Sequence, residues 1–363
     1  MQAKRAKRQE QEDAQEEVTE VAENVLRMQL PIVIPGLGHV NCFALIDDEG
    51  AAVVDPGLPT PGSFKALEQR LGQAGLRMKN IHTVIITHSH PDHFGGARRI
   101  VEASGAKLVA HGTFRLGYQK PEVSVDDLHA HECADHAPVE SDELRKPFTP
   151  ETPSFEGRTP WGGDRPRPPF KMRMRYRLMR TIGNAMRFPT ITKPVLGGDV
   201  LRLAKREFIV VHTPGHTEDH ICLHDPAEEV FLAGDHVLPT ITPHISGLSS
   251  HPDPLKAFFD SLDEAAATPH VSTVLPAHGH PFKDLAARCE AIKLHHDERL
   301  EKVRSIAREI GPASVEAFTQ RLFKKHSWGT MADSETYAHL EHLRILGEGD
   351  ARMDKRGKLI YEL

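Results

Sequence analysis

Thr87-His88-Ser89-His90-Pro91-Asp92-His93-Phe94-Gly95-Gly96 decides how this chain reads. It follows Val84-Ile85-Ile86, a short apolar run with the character of a buried strand. The residues after it, Ala97 to Ala103, have helical character, so the histidines fall on a strand-to-helix turn. Open sheets keep their sites at the carboxyl ends of strands. Neutral imidazoles and carboxylates are the ligands that zinc takes where no thiolate is offered. His88 and His90 lie two apart, so an extended backbone points both the same way. Pro91 then turns the chain, and Asp92 and His93 face a neighbouring point. That spacing suits two metals side by side.

Three later segments repeat the arrangement. They are Thr213-Pro214-Gly215-His216-Thr217, Ala233-Gly234-Asp235-His236 and Pro276-Ala277-His278-Gly279-His280. Each follows an apolar run and sets a His or Asp just past a strand. In this order the four motifs resemble the metallo-β-lactamase-fold hydrolase superfamily. The resemblance spans roughly residues 29 to 283, apart from an insert. It implies an α/β fold, the four-layer αββα sandwich.

Carried over residue by residue, the resemblance puts His88, His90 and His216 on one divalent metal. It puts Asp92, His93 and His278 on a second, with Asp235 between them. Asp92 is also the candidate catalytic proton carrier. Zinc is the favoured ion, with iron and manganese as alternatives. Asp55, in Asp55-Pro56-Gly57, corresponds to a loop beneath the metal site, and is read equally as a supporting residue or as a turn residue. His111 reads as pocket-lining or structural. His220, His236 and His280 read as supporting or packing residues beside the ligands.

The chain has 363 residues, enough for a large core and an accessory element. No apolar run approaches membrane-spanning length, and no apolar signal core opens the chain, so the cytoplasm is the expected compartment. Cys42, Cys133, Cys222 and Cys289 are scattered and read as free thiols. A net charge of −6 does not call for nucleic acid as a general partner. The expected partner is a small-molecule substrate, with a homodimer as a further option.

The expected division is a charged N-terminal arm at 1–27, a metallo-β-lactamase domain at 28–284, and a helical segment at 285–363. Residues 112–195 form an insert, proline-rich up to Phe170. His129, His131, Cys133 and His136 in it read as a loop sooner than a third metal site. Lys171 to Arg187 reads as a basic, methionine-rich helix, either packed on the domain or acting as a lid. The final segment reads as three helices and a hairpin turning at Asp354 to Gly357. That order resembles a winged helix, and in particular the C-terminal domain of the LACTB-like branch. The third helix is not basic, so a packing or dimerisation role is favoured over DNA binding.

The resulting expectation is a dinuclear hydrolase acting on a carbonyl substrate: a thioester, an ester or a lactone. The substrate would carry an apolar acyl part and an anionic group. Ribonuclease or phosphodiesterase activity, as in the LACTB-like branch, is the alternative, followed by iron-dependent sulfur oxidation and by a non-enzymatic winged-helix DNA-binding protein. Asp92-His93 closes the first motif as in glyoxalase-like and lactonase-like members, which disfavours β-lactam hydrolysis.

Overall fold

The computed structural model describes residues 7–117, 141–150, 158–163, 188–249 and 251–363. Lys171 to Arg187 and the His129-to-His136 cluster lie outside the described residues.

Two sheets face each other. The first runs in the order β1 (Thr19–Ala22), β2 (Val25–Ile34), β3 (Leu37–Asp47), β4 (Gly50–Val54), β5 (Ile81–Ile85), β6 (Lys107–His111) and β7 (Lys193–Val195). Its first four strands are antiparallel and the last three pairings parallel. The second sheet holds β8 (Val200–Leu203), β9 (Arg206–His212), β10 (Ile221–Asp225), β11 (Val230–Gly234) and β12 (Thr273–Pro276). Only β11 and β12 pair in parallel there.

Side-chain alternation makes the layers. In β4, Ala52 and Val54 point into the space between the sheets, where they meet Phe208, Val210, Ile221, Leu223 and Leu232. Ala51 and Val53 point the other way, onto α1 (Pro61–Gln73) and α3 (Ala97–Ser104) through Leu67, Leu71 and Ile100. The outer face of the second sheet offers Cys222, Phe231 and Val274 to α5 (Pro254–Ala266) and α6 (Leu285–Ile310). Short helices α2 (Pro91–Phe94) and α4 (Ser141–Leu144) lie between α1 and α5 in sequence. Helix, sheet, sheet, helix is the αββα sandwich. Burying a side chain such as Phe231 or Phe258 contributes roughly 1.5–3 kcal/mol to holding it together.

Helix starts follow local chemistry. Thr60 caps α1 by accepting from Ser63 N, and Pro61 sits in its first turn. Asp253 caps α5 through Lys256 N, and Asp284 caps α6 through Ala287 N. α6 stops at Gly311, before Pro312.

Two departures from the expected division have physical causes. Residues 7–27, expected as a charged arm, are ordered against the fold. β1 pairs with β2, and Glu10 is fully buried: its carboxylate accepts from Thr240 N at 2.7 Å, from Thr240 Oγ1 and from Ile241 N at 3.1 Å. A charged stretch becomes ordered because backbone donors of a distant turn satisfy its carboxylate. The boundary at 285, in turn, is no break in the core. Ile292, Leu300 and Val303 of α6, Phe318 of α7 (Val315–Leu322) and Leu340 of α8 (Thr330–Ile345) share one cluster with Phe231 and Val274. A small sheet in the order β13 (Ala313–Ser314), β15 (Leu359–Glu362), β14 (Asp350–Met353) completes the chain, and Tyr361 is buried in that cluster.

Candidate metal centre

Five strands of the two sheets end at one place. β4 delivers Asp55, β5 delivers Thr87 to His93, β9 delivers His216, β11 delivers Asp235 and β12 delivers His278. The first motif is held close beneath by its glycines. A Cβ on Gly96 would stand 2.2 Å from Pro56 O, and one on Gly95 would stand 2.2 Å from Pro59. Gly96 N donates to Gly57 O at 3.0 Å, which locks the histidine turn onto the Asp55 loop.

The structure gathers all seven sequence-picked residues into two adjoining groups. In the first, ligand atoms of His88, His90, His216 and Asp235 lie within 4.8 Å of one another; in the second, those of Asp92, His93 and His278 do the same. His90 Nδ1 lies 3.0 Å from both His88 Nε2 and His216 Nε2. His88 and His90 thus meet through opposite ring nitrogens. Asp235 Oδ2 lies 3.6 Å from His216 Nε2 and 3.6 Å from His93 Nε2, and its Oδ1 lies 3.2 Å from His278 Nε2. Asp92 Oδ2 is 3.6 Å from His278 Nε2 and 3.7 Å from His93 Nε2.

The outer ring nitrogens fix the inner ones. Thr87 Oγ1 donates to Asp55 Oδ2 at 2.7 Å, so it accepts from His88 Nδ1 at 3.0 Å. His93 Nδ1 donates to Asp55 Oδ2 at 2.8 Å. His216 Nδ1 donates to His244 O at 2.7 Å, and His278 Nδ1 donates to His39 O at 2.6 Å. With each Nδ1 proton used outward, four Nε2 lone pairs point inward. His93 Nε2, His278 Nε2 and Asp235 Oδ1 are buried without a hydrogen-bond partner. Bare donors packed this tightly repel unless a cation lies among them, so the residues fit divalent metal ions.

The electrostatics agree. Burial, reinforced by neighbouring imidazoles, holds His88 and His90 well below the usual imidazole range, so they stay neutral donors. Burial opposes charge on His93, but Asp235, Asp55 and Asp92 outweigh it and raise its affinity for positive charge. Burial likewise disfavours a charged Asp235, yet His278 and His93 hold its carboxyl well below the ordinary value. The second group therefore demands positive charge, which an ion supplies as well as a proton.

Asp55 acts as a supporting residue, accepting from Thr87 N at 2.9 Å besides the contacts above. His220 Nε2 accepts from Asp235 N at 3.1 Å while its Nδ1 donates to Thr213 Oγ1 at 2.7 Å, which steadies the Asp235 turn. Ser89 Oγ donates to Asp219 Oδ1 at 3.0 Å and joins two site loops. His111 stacks on His212 with ring centroids 3.9 Å apart and takes no part in either group. His280 turns away to meet Glu12 Oε2 at 2.9 Å. His236 packs edge-on against Phe258.

Three supports escape sequence reasoning. His39 Nε2 accepts from Gly279 N at 3.1 Å and its Nδ1 donates to Glu12 O at 2.8 Å, so it braces the His278 turn from both sides. Asn41 Nδ2 donates to Pro276 O and Gly279 O at 2.8 and 2.9 Å. His244 supplies the carbonyl for His216. Each acts across a long chain separation, and only His39 and Asn41 leave a local signal, as polar residues inside the otherwise apolar strand His39-Val40-Asn41-Cys42.

Comparison with known proteins agrees with this fold. The probable metallo-hydrolase YqjP of Bacillus subtilis is 24% identical over 337 residues, 88% of this chain and 92% of that protein. A hydroxyacylglutathione hydrolase of Albidiferax ferrireducens is 36% identical over 81 residues, 22% of this chain and 28% of that protein. The chain spans only 35%, 32% and 28% of the length of the first curated relatives it matches. The crystal structure of the metallo-beta-lactamase family protein TTHA1429 of Thermus thermophilus superposes with a TM-score of 0.67 at 24% identity, over 94% of this chain and 99% of that one. The sequence model of the metallo-beta-lactamase superfamily matches residues 35–278. The chain belongs to the metallo-beta-lactamase superfamily.

Proposed function

We propose that this protein is a dinuclear metal-dependent hydrolase that cleaves a carbonyl substrate, with a thioester first, then an ester or lactone. The observation that carries the reading is the inward set of bare donors, with the Nδ1 protons of His88, His93, His216 and His278 spent on outward acceptors. The similarity to hydroxyacylglutathione hydrolases supports a thioester within that class.

His88, His90 and His216 would hold one ion, Asp92, His93 and His278 the other, with Asp235 between. All-nitrogen and oxygen donors suit zinc, and also iron or manganese. Bound there, the ions supply a hydroxide at neutral pH and polarise the substrate oxygen. The chain's own part is positioning and proton handling. Asp55, Thr87, His244 and His39 hold the four imidazoles so that none turns away. Asp92, whose Oδ2 lies 3.7 Å from His93 Nε2 and 3.6 Å from His278 Nε2, would take the proton released as the hydroxide forms and return it to the leaving group. The free thiols of Cys42, Cys222 and Cys289 suit a reducing compartment such as the cytoplasm.

Metal analysis of the purified protein, joined to a hydrolysis panel, tests the reading. The panel holds acyl thioesters, lactones, aryl esters and a phosphodiester. Two metal equivalents and turnover of a thioester, ester or lactone are expected. Absence of bound metal, or turnover of the phosphodiester alone, overturns it.

A further inference from the structure

The imidazoles of the two groups are not oriented from the same side. His88 and His93 are held through Asp55, and His278 through His39, all from the first sheet and its loops. His216 is different. Its Nδ1 proton goes to the carbonyl of His244, in the loop after Asp235. That loop is clamped by α8, roughly ninety residues further along the chain.

The clamp has several parts. His244 Nδ1 donates to Glu335 Oε2 at 3.3 Å. Its Nε2 is buried without a partner, so Glu335 makes the ring's one hydrogen bond among the described residues. Glu335 is held in turn by an ion pair with Arg299 of α6. Arg299 lies over the Phe323 ring at 5.0 Å and donates to His295 Nε2 at 3.1 Å. Two residues beyond Ile245, Gly247 N donates to Ser334 Oγ at 3.0 Å. A Cβ at Gly247 would stand 2.5 Å from Ser334 O and from the Tyr337 ring, so the loop lies flat on α8 only as glycine. Glu335 and His244 are largely enclosed, with side chains 14% and 19% accessible, which keeps the contact from being screened away.

We propose that Glu335 is a positioning residue for the metal centre. Through His244 it fixes the carbonyl that aims His216, and so sets the metal affinity of the His88, His90 and His216 group alone. The inference rests on the metal-centre reading above. Partners that orient a ligand in this way change metal affinity by roughly 10- to 100-fold. The C-terminal helices thereby complete one half of the site while the other half does without them.

The test uses the full chain stripped of metal, loaded with Zn2+ against a competing chelator and with Co2+ followed by absorption. Wild type takes up two equivalents. Glu335→Ala raises the Kd of one equivalent about tenfold or more and leaves the other within about twofold. Its Co2+ spectrum changes in the band that His216→Ala removes. Glu335→Gln, which keeps an acceptor for His244, falls between wild type and Glu335→Ala, and it carries the reading should the alanine variant fail to fold. Glu348→Gln breaks the Arg304 pair between α6 and the end of α8 without touching the loop, and it binds as wild type. Folded Glu335 variants with both equivalents unchanged, or both weakened alike, overturn the proposal and leave the metal centre standing. A wild-type chain that takes up no metal overturns both.

Discussion

Asp55 and His93 form a buried pair, with Nδ1 donating to Oδ2 at 2.8 Å, and the same carboxylate accepts from the Thr87 hydroxyl that supports His88. One side chain therefore orients an imidazole in each metal group. Asp55 stands at a φ of 52°, a left-handed conformation that Asn tolerates as well as Asp. Asp55→Asn keeps the backbone but meets the donors on Thr87 and His93 with one acceptor too few. It is expected to lower metal affinity roughly 10- to 100-fold while the urea midpoint of the metal-free chain stays close to wild type. Chelator competition reads the first and urea unfolding the second. Unchanged affinity at both groups would remove Asp55 from the account.

His88→Ala and Asp235→Ala remove a donor from a set in which each is packed against the others. Each is expected to reduce turnover of the best panel substrate by at least about a thousandfold, the loss of roughly 4 kcal/mol of transition-state stabilisation. Circular dichroism should show an intact fold. Wild-type turnover in either variant sinks the ligand assignment.

Glu10 gives the N-terminal segment a role in stability. Its buried carboxylate satisfies two backbone N–H groups and the hydroxyl of Thr240. Glu10→Ala leaves those donors without partners and is expected to cost about 2–3 kcal/mol in urea unfolding. Gln9 and Glu12 also meet the His280 turn, so the change should loosen that turn in hydrogen exchange. Stability within about 0.5 kcal/mol of wild type would mean that the segment merely rests on the surface.

Buried neutral histidines set an acid limit. Burial, aided by His212, pushes His111 down to about 3. Burial holds His296 and His339 well below the imidazole range, each pressed by the other members of the α6 and α8 histidine cluster and by Arg299. These groups stay neutral when folded and take up protons when unfolded. Their contribution is complete above the unfolded value near 6.5 and is lost as pH falls below it. At pH 5 the His111 contribution alone costs roughly 2 kcal/mol. In the metal-free chain His93 and His278 work the opposite way, because their folded values are raised. Urea midpoints of the metal-free protein should fall between pH 7 and pH 5. A flat profile would show that the opposing pair cancels the rest.

Much of the site was legible because metal chemistry needs particular side chains and strands end abruptly. Four short motifs, each just past an apolar run, name the seven donors before any folding is considered, and the two-sheet sandwich was an expectation carried by their resemblance to the superfamily. Which nitrogen of each imidazole faces inward was not legible, because it depends on acceptors far off in sequence: Asp55 for His93, His39 for His278, His244 for His216. The charged opening of the chain reads as a loose arm until the Thr240 turn supplies donors for Glu10. The C-terminal helices read as a separate unit until their apolar faces close over Phe231 and Val274. Local composition determines which atoms are available, and chain topology decides which of them meet. A hydrogen bond or a shared core between residues two hundred positions apart leaves no mark on either stretch alone.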